Sequence, residues 1–163
     1  MRPLTARCTI DAPRARVFDY LVDLANHPEF TDHFMKDFRL ERLDSRGIGA
    51  AANFRIETGL GGLWAEAVVT EVEAPYRILL EGKAGRIGRI EIRSEYKLTP
   101  FGHDMTSVEL TVSSDSPARA DRLREALGGR AAMRRRCRRA LGRLKQMLEE
   151  GQPSAHAVRV AAG

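Results

Sequence analysis

Arg89-Ile90-Glu91-Ile92-Arg93-Ser94-Glu95-Tyr96-Lys97-Leu98 is the stretch on which the fold class turns. Ile90, Ile92, Ser94, Tyr96 and Leu98 fall on one side of an extended chain, and Arg89, Glu91, Arg93, Glu95 and Lys97 on the other. Side chains alternate across a strand, so this run reads as a strand with one buried and one wet face. Parallel strands are usually covered on both faces, so a wet face points to an antiparallel sheet.

The same pattern recurs outward from this strand. Towards the C-terminus, Pro100-Phe101-Gly102-His103-Asp104 turns the chain into a strand on which Thr106, Val108, Leu110 and Val112 share a face. Towards the N-terminus, strands are expected over 76–82, 64–72, 50–58 and 38–43. Ala52, Phe54 and Ile56 share a face of the third of these. Ala74-Pro75, Gly59-Leu60-Gly61-Gly62 and Asp44-Ser45-Arg46-Gly47 supply the breaks between them. The strand 64–72 has apolar residues on both sides: Trp64, Val68 and Val72 on one, Ala65, Ala67 and Val69 on the other. A bulge within it is expected for that reason.

Leu4-Thr5-Ala6-Arg7-Cys8-Thr9-Ile10-Asp11 alternates as a first strand. Ala12-Pro13 then opens a helix, with Asp11 as its expected N-cap and Val17, Phe18, Leu21, Val22 and Leu24 as its apolar face. Asn26-His27-Pro28 breaks it, and a second short helix is expected over 28–34. A final long helix is expected over 117–150, with Ala126, Arg130, Met133, Cys137, Ala140, Leu141, Leu144 and Leu148 along one stripe. Gly128-Gly129 interrupts it, each glycine costing about 1 kcal/mol against alanine, so a kink is expected there. Residues 151–163 are small and polar to neutral, and are read as a disordered tail.

A chain of 163 residues suits one domain, here 1–150, with a sizeable core. No apolar run approaches the roughly 20 residues that cross a bilayer. Met1-Arg2-Pro3-Leu4-Thr5 lacks a signal-peptide core, so a cytoplasmic location is expected. Cys8 and Cys137 lie far apart without metal-ligand spacing and read as buried free thiols. The formal charge is +5, and Arg130, Arg134, Arg135, Arg136, Arg138, Arg139 and Arg143 crowd one stretch. On a helix these side chains fan around the exposed face, and aromatics for base stacking are absent nearby, which argues against nucleic acid. Docking on an anionic membrane surface would suit the same helix.

The order of elements, and several short stretches, resemble the START/SRPBCC superfamily, in its polyketide cyclase/dehydrase and lipid-transport branch. The resemblance rests on Ile10-Asp11-Ala12-Pro13 with Val17-Phe18-Asp19-Tyr20-Leu21-Val22-Asp23, on His27-Pro28-Glu29-Phe30, and on Val69-Thr70-Glu71-Val72-Glu73-Ala74-Pro75-Tyr76-Arg77-Ile78. It continues into Leu141-Gly142-Arg143-Leu144-Lys145-Gln146-Met147-Leu148-Glu149, so residues 4–150 are covered. It implies an α+β, helix-grip fold: two short helices after the first strand, and a curved antiparallel sheet wrapped around a long C-terminal helix. A cavity between sheet and helix, holding a hydrophobic ligand, is implied with it. These stretches are helix starts, turns and core positions, so function has to be argued from the pocket.

No catalytic signature stands out. Gly59-Leu60-Gly61-Gly62 lacks the lysine and the strand-to-helix context of a phosphate-cradling loop. His27, His33, His103 and His156 have no metal-ligand pairing, and His27, His33 and Asp32 read as solvated or capping groups. No metal or cofactor is implied. The expected ligand-binding set is Phe54, Ile56, Trp64, Glu66, Val68, Ile92, Tyr96, Met105, Arg130 and Met133. Taken singly, each apolar member is also ordinary core.

If Trp64, Val68 and Val72 face the cavity, Glu66 and Thr70 do so too; the bulge can equally turn Glu66 outward. A carboxylate in an apolar pocket must be paired or carry a raised pKa. Arg130 could pair with it or reach solvent, and Tyr96 and Ser94 could add hydroxyls. Three readings follow: a binder or carrier of a lipid, isoprenoid quinone or polyketide-like molecule; a cyclase or dehydratase using Glu66, Arg130 and Tyr96; or an interaction protein using the basic helix. The sequence is compatible with a monomer or a homodimer.

Overall fold

The computed structural model describes residues 1–59, 61–117 and 129–150. The chain runs through β1 (Leu4–Ile10), α1 (Arg14–Leu21), a 3-10 turn (Leu24–Asn26) and α2 (His27–Thr31). It continues through β2 (Met35–Leu40), β3 (Ala51–Thr58), β4 (Gly61–Glu73), β5 (Arg77–Ala84), β6 (Ile90–Pro100) and β7 (Thr106–Asp115), and ends in α3 (Arg130–Glu150). Among the described residues the strands form one antiparallel sheet in the order β1-β7-β6-β5-β4-β3-β2. Strands β2 to β7 follow one another as a meander, and β1 joins the far edge against β7. This is the helix-grip arrangement, with α3 held against the sheet.

Helix α3 buries Cys137, Ala140, Leu141, Leu144 and Leu148, a stripe at spacings of three and four. Its Lys145 donates to the Thr9 carbonyl of β1 at 2.6 Å. Arg143 pairs with Asp32, and the His33 Nε2 donates to the Arg136 carbonyl at 3.1 Å. Asp32 and His33 therefore join the end of α2 to α3, where the sequence suggested solvated or capping groups. The expected kink at Gly128-Gly129, the start of the long helix at Pro117 and the tail 151–163 involve residues outside the described set.

Inward-facing residues form rows across the sheet. One row runs Ala52–Ala67–Gly82–Ile92–Ser114, and another Val72–Ile78–Tyr96–Leu110–Ala6. Between them lies Val69–Leu80–Ser94–Val112–Leu4. The register of β4 against β5 shifts between Val69 and Glu71, leaving Thr70 as the extra residue of a bulge. That extra residue changes the phase of the strand. Ala65, Ala67 and Val69 point inward before it, and Val72 packs against the core after it.

Several boundaries differ from the sequence reading. β2 occupies Met35–Leu40 instead of 38–43, because its pairing with β3 reaches back to Met35 opposite Ile56. β4 starts at Gly61, where a φ of +116° suits glycine, so the turn is tighter than four residues. Asp11 does not cap α1: Pro13 occupies the N-cap, and the Asp11 amide donates to Glu149 at 2.9 Å. No helix among the described residues is long and apolar enough to cross a membrane.

Candidate functional site

Ala52 of β3, Ala67 of β4 and Ala84 of β5 line the space that the sheet and α3 do not fill. Small side chains on three adjacent strands leave a gap that the helix stripe cannot reach. A cavity of about 610 Å³ results. Its apolar wall includes Phe34, Phe38, Phe54, Ile56, Leu80, Ile90, Ile92 and Leu110 from the sheet side, with Ala132 and Met133 from α3. The rings of Phe38 and Phe54 stack at 5.8 Å. Gly59, Gly61, Gly62 and Gly129 also line it and are exposed, so the cavity meets solvent at the β3–β4 turn and the start of α3.

Of the residues expected to contact a ligand, Phe54, Ile56, Ile92, Tyr96 and Met133 line this cavity together. Trp64, Glu66, Val68, Met105 and Arg130 do not. Trp64 is 55% exposed and Glu66 is exposed, because Ala65 and Ala67 hold the inward positions of β4. Glu66 and Val68 instead border a depression on the outer face, with Glu81, Lys83, Glu91 and Arg93. Met105 sits in the β6–β7 turn, where its carbonyl accepts from Phe101. Arg130 donates to the Pro3 carbonyl at 3.0 Å and borders the outer depression, not the cavity. Glu66 and Tyr96 thus lie on opposite faces of the sheet, and the suggested trio of Glu66, Arg130 and Tyr96 does not converge.

The polar part of the wall comes from other places. His27, 5% exposed, lines the cavity with Tyr96, Ser94, Arg136 and Cys137. The sequence reading took His27 as solvated or capping; it is not solvated, and its Nε2 donates to the Leu21 carbonyl at the end of α1 at 2.8 Å, with its ring edge-on to Tyr96 at 5.9 Å. A signal was available: Leu24, His27, Phe30 and Thr31 are spaced at three and four, and all are buried. Burial pushes the Cys137 thiol up to about 11, so it stays protonated at neutral pH.

Burial also holds His27 below the ordinary histidine value of 6.5, with the Leu21 hydrogen bond acting the other way. The unfolded chain therefore takes up the proton first as pH falls, so this contribution to stability is full above about pH 6.5 and is lost below it. Denaturant titrations from pH 7.5 down to pH 5 are expected to show stability falling by up to about 1.4 kcal/mol per pH unit from His27. His33 is shifted the same way by desolvation, but it is more exposed and adds less. His27→Gln should flatten the loss; an unchanged slope would assign it to another group.

A sequence model of the family described as polyketide cyclase / dehydrase and lipid transport matches residues 1–149. The chain belongs to this family. Solved structures agree on the fold. KanY superposes with a TM-score of 0.73 over 90% of this chain and 97% of its own, at 18% identity. TTHA0849 from Thermus thermophilus gives 0.69 over 93% and 99%, at 16% identity. DynU16, from the dynemicin biosynthetic locus, gives 0.62 at 18% identity, with 94% of this chain covering 49% of DynU16. A comparison with curated proteins found no match. At these identities the likenesses carry the fold, while the family itself joins cyclases, dehydrases and lipid transport.

Proposed function

We propose that the protein binds a hydrophobic small molecule, a lipid, isoprenoid quinone or polyketide-like compound, in the cavity and acts as its carrier. The observation that carries this reading is the cavity of about 610 Å³ with a largely apolar wall. Sites for small ligands commonly occupy roughly 300–1,000 Å³ and are lined in this way. Family membership supports the same reading. Native mass spectrometry of freshly purified protein, with solvent extraction, is the test. A co-purifying apolar molecule at near-stoichiometric occupancy is expected; an empty protein that also refuses a panel of hydrophobic probes would sink the proposal. The alternative cyclase or dehydratase reading draws no support from Glu66 and Tyr96 on opposite faces.

A second reading is favoured by the arginines of α3. Arg134, Arg135, Arg138 and Arg139 are all exposed, two pairs one turn apart, whereas Arg136 turns to the cavity and Arg143 to Asp32. Such a face suits an anionic lipid surface, each arginine adding about 1 kcal/mol near it. Co-sedimentation with phosphatidylserine-containing vesicles is expected at low salt and should weaken steeply as salt rises. Replacing Arg135 and Arg139 by glutamine should cut the bound fraction severalfold; equal binding by the variant would refute this reading.

A further inference from the structure

Among the described residues, two polar atoms on buried side chains of the cavity wall have no hydrogen-bond partner. The Leu21 carbonyl can only accept, so the His27 Nε2 beside it at 2.8 Å carries the ring proton. A second proton on a ring so buried is disfavoured, so Nδ1 is left as a bare acceptor. The Tyr96 hydroxyl also has no hydrogen-bond partner, and burial keeps it protonated. Both residues are only 5% exposed. Among the described residues, Thr70 Oγ1 is the one fully enclosed side-chain polar atom left unpaired. The His27 nitrogen and the Tyr96 hydroxyl therefore keep accessible surface, and both side chains line the cavity.

We propose that this cavity selects hydrophobic molecules bearing a hydroxyl group, held between the Tyr96 hydroxyl and the His27 Nδ1. The proposal rests on the ligand-binding reading above and names the ligand chemistry. The two rings are neighbours in the wall, with centroids 5.9 Å apart at 80°, and the proposal places one small group against both. A ligand hydroxyl donates to Nδ1 and accepts from Tyr96, so it satisfies both atoms. A ketone or ether oxygen only accepts, which leaves Nδ1 bare. A hydrocarbon leaves both unpaired, and unpaired buried polar groups are costly. Around this pair the wall is apolar, with Leu24, Phe34, Leu80 and Leu110. The hydroxyl is thus recognised at one place while the rest of the ligand is chosen by size.

The test is a binding titration of the full chain with 2-naphthol, 2-methoxynaphthalene and 2-methylnaphthalene, which differ only at one substituent. The expected result is about a tenfold preference for 2-naphthol over either of the others. Tyr96→Phe should reduce that ratio to about threefold or less. A second readout does not depend on a variant folding: the histidine nitrogen spectrum of the wild-type protein. The Nδ1 resonance of His27 should move upfield on adding 2-naphthol, as expected for an accepted hydrogen bond, and stay in place with 2-methylnaphthalene. Equal affinity for all three probes, or a preference that persists in Tyr96→Phe with Nδ1 unmoved, would overturn this proposal and leave the cavity reading standing. Failure of all three to bind would overturn both.

Discussion

Gly82→Ala is expected to remove a large part of the protein's stability. Gly82 lies on β5 directly between Ala67 of β4 and Ile92 of β6. A Cβ built there would lie 1.9 Å from the Glu66 carbonyl oxygen and 2.9 Å from the Ala67 Cα. Overpacking against side chains usually costs about 1–3 kcal/mol, because rotamers can shift. Here the obstacle is the backbone of β4, which is hydrogen-bonded on both sides and cannot retreat without opening a ladder. A loss of about 3 kcal/mol or more follows, in a molecule whose whole stability is of the order of 5–15 kcal/mol. Gly142→Ala is the matched control. That glycine is exposed on α3, an added Cβ meets nothing within 4 Å, and about 1 kcal/mol of extra stability is expected. Urea unfolding of the two variants beside the wild type decides it; a wild-type midpoint for Gly82→Ala would contradict the close approach of β4 and β5.

Ala67→Phe should abolish uptake of an apolar probe while leaving the protein folded. Ala67 is buried, faces inward opposite Ala52, and lines the cavity with it. A phenyl ring at this position enters space that is open, not space that is already packed. The stability cost should therefore stay below about 1.5 kcal/mol. Affinity for N-phenyl-1-naphthylamine is expected to fall at least a hundredfold, or about 2.8 kcal/mol. Trp64→Ala, three positions away on the same strand but on the exposed side, should leave the titration unchanged. A loss of binding in Trp64→Ala, with retention in Ala67→Phe, would place the binding site on the outer face of the sheet.

The strands with one clear apolar face were legible from their alternation alone. Ile90, Ile92, Ser94, Tyr96 and Leu98 do share the inward face of β6, and Thr106, Val108, Leu110 and Val112 that of β7, as the register shows. Strand β4 was not legible in this way, because apolar residues stand on both of its sides. A period of two then fits either phase, and the larger Trp64 and Val68 draw the eye from the alanines. Pairing decides the matter: Ala65 lies between Phe54 of β3 and Ala84 of β5, both buried. The bulge at Thr70 was readable, since only a change of phase brings both Val69 and Val72 inward.

The sequence by itself determined the class of sheet, the order of its elements, the helix that it grips and the family to which the chain belongs. Those properties depend on periodicity and on turn residues, which act between near neighbours in the chain. Only the tertiary structure decided which polar groups enter the cavity. His27 was placed there on a short helix, with its ring held by the Leu21 carbonyl of α1 and set edge-on to Tyr96 of β6, and Glu66 was turned out by the alanines beside it. The arginine run was divided by the rotation of α3 into an exposed face, a cavity residue and an ion pair. The cavity is lined by small side chains from separate strands, Ala52, Ala67 and Ala84, so it arises from pairing across the sheet and not from any single stretch of the chain.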